Sequence, residues 1–358
     1  MDSNSKIYNA CPNQLNSDFV EQAHFTTEQA KENTKKSKQR GASFNPNTND
    51  NNTTQSVIIV GGGTTEEFDT ALGKHREPEN VSIIAVGSAA FRLDKEAQIK
   101  AGYPHLDHAD AVVFNQVDVG EELEYYQKMS GVITQALEKK ILTGPVYLAS
   151  YNGPEAYKMC DSKYIVRIPA FVAGENISND EQFLALGSSA PTAALIIGMA
   201  EGHKEFDLIG VGIANVQKAP EGQELSRLLP FNSSATASTN ADSQYPEYAM
   251  SKKYQKIATG EQMIVYAGDN HKAEIPRNFW YQLQELKTLV DEGRKNGVSF
   301  TFHGENSLTQ LFLMKGTDIT VFYDPANEFS AGTKLSGSKP HGLKTIPLPD
   351  DTLNLQLT

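Results

Sequence analysis

Residues 56–65 read Ser-Val-Ile-Ile-Val-Gly-Gly-Gly-Thr-Thr, an apolar run driven straight into three glycines and two hydroxyls. That order suits the binding of a phosphate or nucleotide. Glycines let backbone N–H groups come close to an anion, and a helix starting just beyond, from Glu66, turns its positive end toward it. Gly61, Gly62, Gly63, Thr64 and Thr65 are therefore the first candidate ligand contacts. A second stretch offers the same chemistry. In residues 187–202, Ser188, Ser189 and Thr192 cluster at the start of a predicted helix, with Pro191 in its first turn. Hydroxyls and open N–H groups there make a second anion pocket; the plainer alternative is a serine cap on a helix packed against a sheet. Gly198 is placed to let that helix lie close to the strands.

The glycine pattern departs from a dinucleotide fingerprint. Gly61 and Gly63 fit G-x-G-x-x-G, but Glu66 stands at the third glycine, and the second strand ends in Val86-Gly87-Ser88 rather than in a carboxylate for a ribose. Glu66 would favour the helix dipole but repel a pyrophosphate laid on it. An NAD(P)-dependent oxidoreductase is thus the third-ranked reading. For acid–base work, His271 and His303 carry the side chain whose ordinary pKa suits a general base. His303 falls just past a predicted strand, with Glu305 close enough in sequence to orient it. His105 and His108 flank Asp107, without the further spacing a metal site needs. No nucleophile elbow, Walker loop, kinase signature or His-Glu-x-x-His occurs.

The elements that must position these groups are short apolar runs at 57–60, 81–86, 111–114, 146–149, 164–168 and 206–212, with helical patterns at 66–75, 121–140, 153–160 and 191–202. Uninterrupted apolar strands alternating with helices predict an α/β fold: a doubly wound, mostly parallel, Rossmann-like sheet with helices on both faces. Beyond it lie an irregular stretch with a polar loop over 231–243, a strand at 263–266, and a helix over 275–295 on which Phe279, Leu283, Leu286 and Val290 recur at helical spacing. Strands at 298–302 and 319–322 flank a helix near 306–314. The α/β domain is read as 56–323 and residues 324–358 as an extended C-terminal tail. Residues 1–55 are rich in Asn, Ser, Thr, Gln and Lys and are expected to be a disordered polar tail, with a transient helix over 17–40.

Charge narrows the function classes. The chain of 358 residues carries a net charge of −12, and its first 55 residues hold six acidic and six basic groups, so the excess lies on the folded body. Such a body is a poor general binder of duplex nucleic acid. Two cysteines, Cys11 and Cys160, make no disulfide framework. No apolar run reads as a signal peptide or a membrane span, which predicts a cytoplasmic protein, or one secreted without a leader as an effector. The sequence fixes no oligomeric state.

Three stretches together resemble a known superfamily: Gly61-x-Gly-Thr-Thr65 after the first strand, Ile83-Ile-Ala-Val-Gly-Ser-Ala89 in the second, and Ser188-Ser-Ala-Pro-Thr192 leading through Gly198-Met-Ala-Glu-Gly-His-Lys-Glu-Phe-Asp-Leu-Ile-Gly-Val-Gly212. The pattern, over roughly residues 56–215, is similar to that of archaeal 6-hydroxymethylpterin pyrophosphokinases, motility-accessory proteins that glycosylate flagellin, and single-domain bacterial sialyltransferases. Those proteins have Pro-Ser where Thr64-Thr65 stand here, and an acidic residue after the last glycine where Gly210-Val-Gly-Ile-Ala-Asn215 has none. The resemblance implies that Gly61–Thr65, Ser88, Asn115 and Ser188–Thr192 surround a nucleotide, and that Asp118, in Phe114-Asn-Gln-Val-Asp118, holds a Mg²⁺-bound phosphate. The expected function is a nucleotide-dependent transferase moving a glycosyl or pyrophosphoryl group from a nucleotide or nucleotide-sugar donor, with His303 or Asp118 as catalytic groups. The alternative is a Rossmann-like module that binds a nucleotide or other small ligand without catalysis.

Overall fold

The computed structural model describes residues 27–44, 56–62, 81–101, 104–115, 123–170, 184, 186–187, 189–211, 217–218, 262–267, 271–303, 309, 313, 319–323 and 344–346. The strands are β1 (Ala42–Ser43), β2 (Ser56–Val60), β3 (Val81–Val86), β4 (Ala111–Phe114), β5 (Val146–Ala149), β6 (Ile165–Ile168), β7 (Glu205–Ile209), β8 (Gln217–Lys218), β9 (Gln262–Ala267), β10 (His271–Pro276), β11 (Ser299–Phe302), β12 (Ile319–Tyr323) and β13 (Lys344–Ile346). The α-helices are α1 (Thr27–Ser37), α2 (Lys95–Ala101), α3 (Leu123–Glu138), α4 (Ala190–Ala200) and α5 (Arg277–Lys295), and a 3₁₀ helix spans Gly87–Leu93.

Eight strands form one sheet in the order β1-β6-β5-β4-β3-β2-β7-β11, and every pairing in it is parallel. From β2 the chain steps outward to β6, then returns past four strands to lay β7 on the other side of β2. Right-handed crossovers in opposite directions put their helices on opposite faces, and the two apolar clusters show this. Val57, Ile59, Ile84, Val113 and Leu208 face α4 and α5, while Ile58, Val60, Val112, Leu148 and Ile209 face α3 and the 3₁₀ helix. The alternation along each strand is the period-two consequence of the pleat. Both faces are covered, which explains why the strands read as unbroken apolar runs.

Residues 324–358 contribute β13, and a second sheet was not foreseen: β13-β12-β9-β10-β8, antiparallel throughout. The helix expected from residue 275 starts at Arg277, because residues 271–276 pair with β9 as a strand. Residues 153–160 hold a 3₁₀ turn, Ala156–Lys158, in place of an α-helix. The helix expected at 66–75 and the loop at 231–243 lie outside the described residues, as do most of 306–314.

Residues 27–44 correct the expectation of disorder for that part of the N-terminal segment. In α1, Ala30, Asn33, Thr34 and Ser37 are buried. Asn33 Nδ2 donates to the Tyr151 carbonyl at 3.0 Å, and Ser37 Oγ donates to the Ser150 carbonyl at 2.7 Å. Arg167 Nε donates to Ser37 Oγ at 3.2 Å. The anchors are polar and reach over a hundred residues along the chain, so hydropathy does not register them. Buried polar groups of this kind are held by their bonds rather than by apolar area.

Two helix glycines differ in their surroundings. A Cβ on Gly198 of α4 would lie 2.7 Å from the Phe206 ring on β7, whereas one on Gly131 of α3 meets nothing within 4 Å. Gly198→Val should cost about 1–3 kcal/mol through overpacking, and Gly131→Ala should add up to about 1 kcal/mol from helix propensity; thermal unfolding of the two variants should move in opposite directions. At the C-terminal end of α4, Glu201 accepts a 2.6 Å hydrogen bond from the Tyr147 hydroxyl, with His203 4.0 Å away. Burial raises its carboxyl above the usual 4.5, against the Tyr147 hydrogen bond and the His203 charge, which lower it. A carboxyl raised on folding contributes stability that is present below pH 4.5 and is lost as pH rises through its folded value. The melting temperature of Glu201→Gln should therefore gain on the native protein as pH is raised from 4.5; a pH-independent difference would contradict this.

Candidate functional site

The strand order defines where a ligand can enter. β2 connects toward β3 and β7 toward β11, so the chain leaves these neighbours in opposite directions. In open α/β sheets the crevice beyond the carboxyl ends of such a pair is the usual ligand site. Here it is bounded by Gly61 after β2 and Gly210 after β7. Gly61 N–H donates to the Ile209 carbonyl at 2.8 Å, and a Cβ on Gly61 would fall 2.3 Å from the Gly210 carbonyl oxygen. Only glycine permits that approach. Gly210 itself has φ of 66°, the left-handed region that glycine adopts without strain.

Beside the crevice, the first turn of α4 is fixed to the ends of β3 and β4. Asn115, directly after β4 and 8% exposed, donates through Nδ2 to the carbonyls of Gly187 and Ser189, each at 3.0 Å. Its Oδ1 accepts a short hydrogen bond from the Tyr151 hydroxyl. Tyr151 follows β5, and its own carbonyl is held by Asn33 of α1. At Gly87, the end of β3, an added Cβ would lie 3.8 Å from Cβ of Ala190. Ser189 caps α4: its Oγ accepts from Thr192 N–H at 3.3 Å and pairs with Thr192 Oγ1 at 2.6 Å. Pro191 has no N–H to satisfy. Among the described residues, the N–H groups of Gly62, Ser189 and Ala190 have no hydrogen-bond partner. They are donors at a helix start and a glycine turn, the arrangement that receives anions.

Ser88 is half-buried in the first turn of the 3₁₀ helix. Thr192 has no exposed surface, so its hydroxyl serves the cap. Gly63, Thr64, Thr65, Ser188 and Asp118 lie outside the described residues, as does Glu305. His303 stands past the end of β11, two strands from Gly61, with Nε2 3.2 Å from Asp207 Oδ1 on β7. Its neighbour is thus a carboxylate from the adjacent strand, unforeseen because the two residues are 96 positions apart. The side chain of His271 is outside the described residues. Among the described residues no group of three His, Cys, Asp or Glu could hold a metal. Asp107 pairs instead with Lys95, whose hydrogen bond keeps the carboxyl below its usual range. Burial pushes the Cys160 thiol up to about 11, which suppresses thiolate chemistry.

Two further groups beside the glycine turn and Asn115 carry no local sequence signal. Arg92, fully buried in the 3₁₀ helix, donates to the carbonyls of Gly61 and Gly62, at 3.5 and 3.1 Å, and to that of Pro104, at 2.9 Å. Tyr151 reads as a strand-end aromatic until its hydroxyl is seen on Asn115. Elsewhere, an open cleft of about 590 Å³ at the start of β6 is lined by Arg40, Tyr157, Lys158, Ser162 and Lys163. Its lysines are paired with Glu155 at 2.6 Å and Asp161 at 3.6 Å.

Eight parallel strands covered on both faces define an α/β protein of the doubly wound class. No family model matches the chain, and no curated protein matches it. Among solved structures it is similar to a MAf glycosyltransferase from Magnetospirillum magneticum AMB-1, with 12% identity and a TM-score of 0.44 over 78% of this chain and 37% of that one. The chain thus spans little more than a third of the length of that protein. A likeness at this level assigns no residue a role. No described helix is long and apolar enough to cross a membrane.

The bonds around Asn115 form one unit, so their losses should not add. Asn115→Ala and Tyr151→Phe should each destabilise by about 1–3 kcal/mol, since each strands buried polar partners. The double variant should cost less than the sum by about 0.5 kcal/mol or more. Additive losses in denaturant unfolding would show that the two side chains act separately.

Proposed function

We propose that this chain is a nucleotide-dependent transferase whose donor lies across the carboxyl ends of β2, β3 and β4, with its phosphates on Gly62 and on the first turn of α4. The observation that carries the reading is the set of unpartnered N–H groups on Gly62, Ser189 and Ala190, beside a crevice where the sheet topology reverses. Backbone donors fixed in advance stabilise charge that develops on a leaving phosphate. The sequence resemblance adds the group-transfer class, glycosyl or pyrophosphoryl. Asp118 would hold a Mg²⁺ ion on the phosphates, and the His303–Asp207 pair is the acid–base couple available near the sheet end.

The second reading, a binding module without catalysis, draws support from Asn115 and Thr192. Both were candidate ligand contacts, and both spend their polar atoms inside the protein. Thermal shift and calorimetry with CMP, CDP, UDP, GDP, ATP, NAD and NADP, with and without Mg²⁺, separate the readings. The transferase reading predicts a nucleoside phosphate that stabilises by about 2.7 kcal/mol at a hundredfold excess over its Kd, strengthened by Mg²⁺ and released as free nucleotide on turnover. Ser189→Phe should abolish the shift. Binding without turnover against a broad acceptor set would favour the module, and an unchanged shift in Ser189→Phe would contradict the placement.

A further inference from the structure

Arg92 is a buried cation whose hydrogen bonds go to the two carbonyls at the turn after β2. Its guanidinium is a rigid fork, able to hold two acceptors in one plane. Gly61 and Gly62 supply two successive carbonyls on the same side of the chain. In a trans peptide the C=O and N–H of one peptide group point in opposite directions, and no described peptide bond is cis. A carbonyl drawn down onto Arg92 therefore turns the N–H of its peptide group the other way. The N–H of Gly62 belongs to the group whose carbonyl is that of Gly61, so it faces away from the guanidinium. A backbone N–H turned outward at a glycine turn is a donor that an anion can reach.

The third carbonyl, that of Pro104, anchors the guanidinium from the segment that enters β4. Arg92 thus ties the β2–β3 connection to the β3–β4 connection at the level of the glycine turn. Its charge lies on the side of the turn opposite the Gly62 N–H, a favourable sign for an anion placed there.

We propose that Arg92 is the positioning residue of the site: it sets the glycine turn in the orientation that receives the phosphates of the donor. This rests on the nucleotide reading above and extends it to a residue outside the ligand's direct contacts. The test uses the full chain and inorganic pyrophosphate as probe, titrated by calorimetry at a temperature where every variant is folded, with amide spectra followed at Gly62 and Ser189. The native protein should bind pyrophosphate saturably and shift both amides. Arg92→Gln should bind at least tenfold more weakly and lose the response at Gly62. Arg92→Lys keeps the charge but cannot span two carbonyls, so it should also lose at least tenfold; it decides the matter if Arg92→Gln fails to fold. A merely structural arginine would lower the melting temperature and leave pyrophosphate affinity unchanged, which would overturn the proposal. Full affinity in Arg92→Lys alone would overturn it too, by showing that charge and not orientation is required. If the native protein binds neither pyrophosphate nor any nucleotide, the nucleotide reading itself has failed, and that is seen before any variant is made.

Discussion

The return of the chain from β6 to β7 constrains everything near the site. To reach the far side of β2, the connection must cross one whole face of the sheet, and α4 is the part of it that lies on β2, β3 and β4. The helix can lie there only because it is apolar almost all round and because Gly198 leaves room for the Phe206 ring. The same return puts Gly210 against Gly61, where no side chain fits. Fold and candidate site are therefore one constraint seen at two levels: the crossover that lays β7 on β2 also creates the crevice and brings a helix start to its edge.

Polar groups fix the rim where apolar packing ends. Asn115, Ser37 and Arg92 bond to backbone carbonyls of loops at the sheet, and Tyr151 holds Asn115 in place. A buried carbonyl left without a partner costs of the order of a few kcal/mol in a dry environment, and these bonds offset that loss. Fixing the carbonyls has a second effect. It leaves the N–H groups of the same turns with their direction set, which is what preorganisation means for the proposed anion site.

The strands of the main sheet could be read from the sequence because burial on both faces makes them unbroken apolar runs, and β3, β4 and β5 were located to the residue. The cap at Ser189 and the close packing at Gly198 followed from residue type and position alone. Three features did not. The strands at 263–266 and 319–322 were legible, as β9 and β12 show, but their pairing into an antiparallel sheet was not, because β8 and β13 are short and His271–Pro276 blends into the helical pattern that follows it. α1 attaches through Asn33 and Ser37, polar side chains that count toward disorder in any composition argument. Arg92 and the pairing of His303 with Asp207 depend on contacts 30 and 96 residues distant in sequence, which no local pattern encodes.

Where a bound anion sits is the decisive question. Amide-resolved chemical-shift mapping of the full chain with a nucleoside diphosphate and Mg²⁺ measures this directly. Saturable changes are expected to centre on Gly62, Ser88, Ser189 and Ala190, with Gly131 silent. Changes centred instead on Arg40, Lys158 and Lys163, the basic cleft at the start of β6, would contradict this placement.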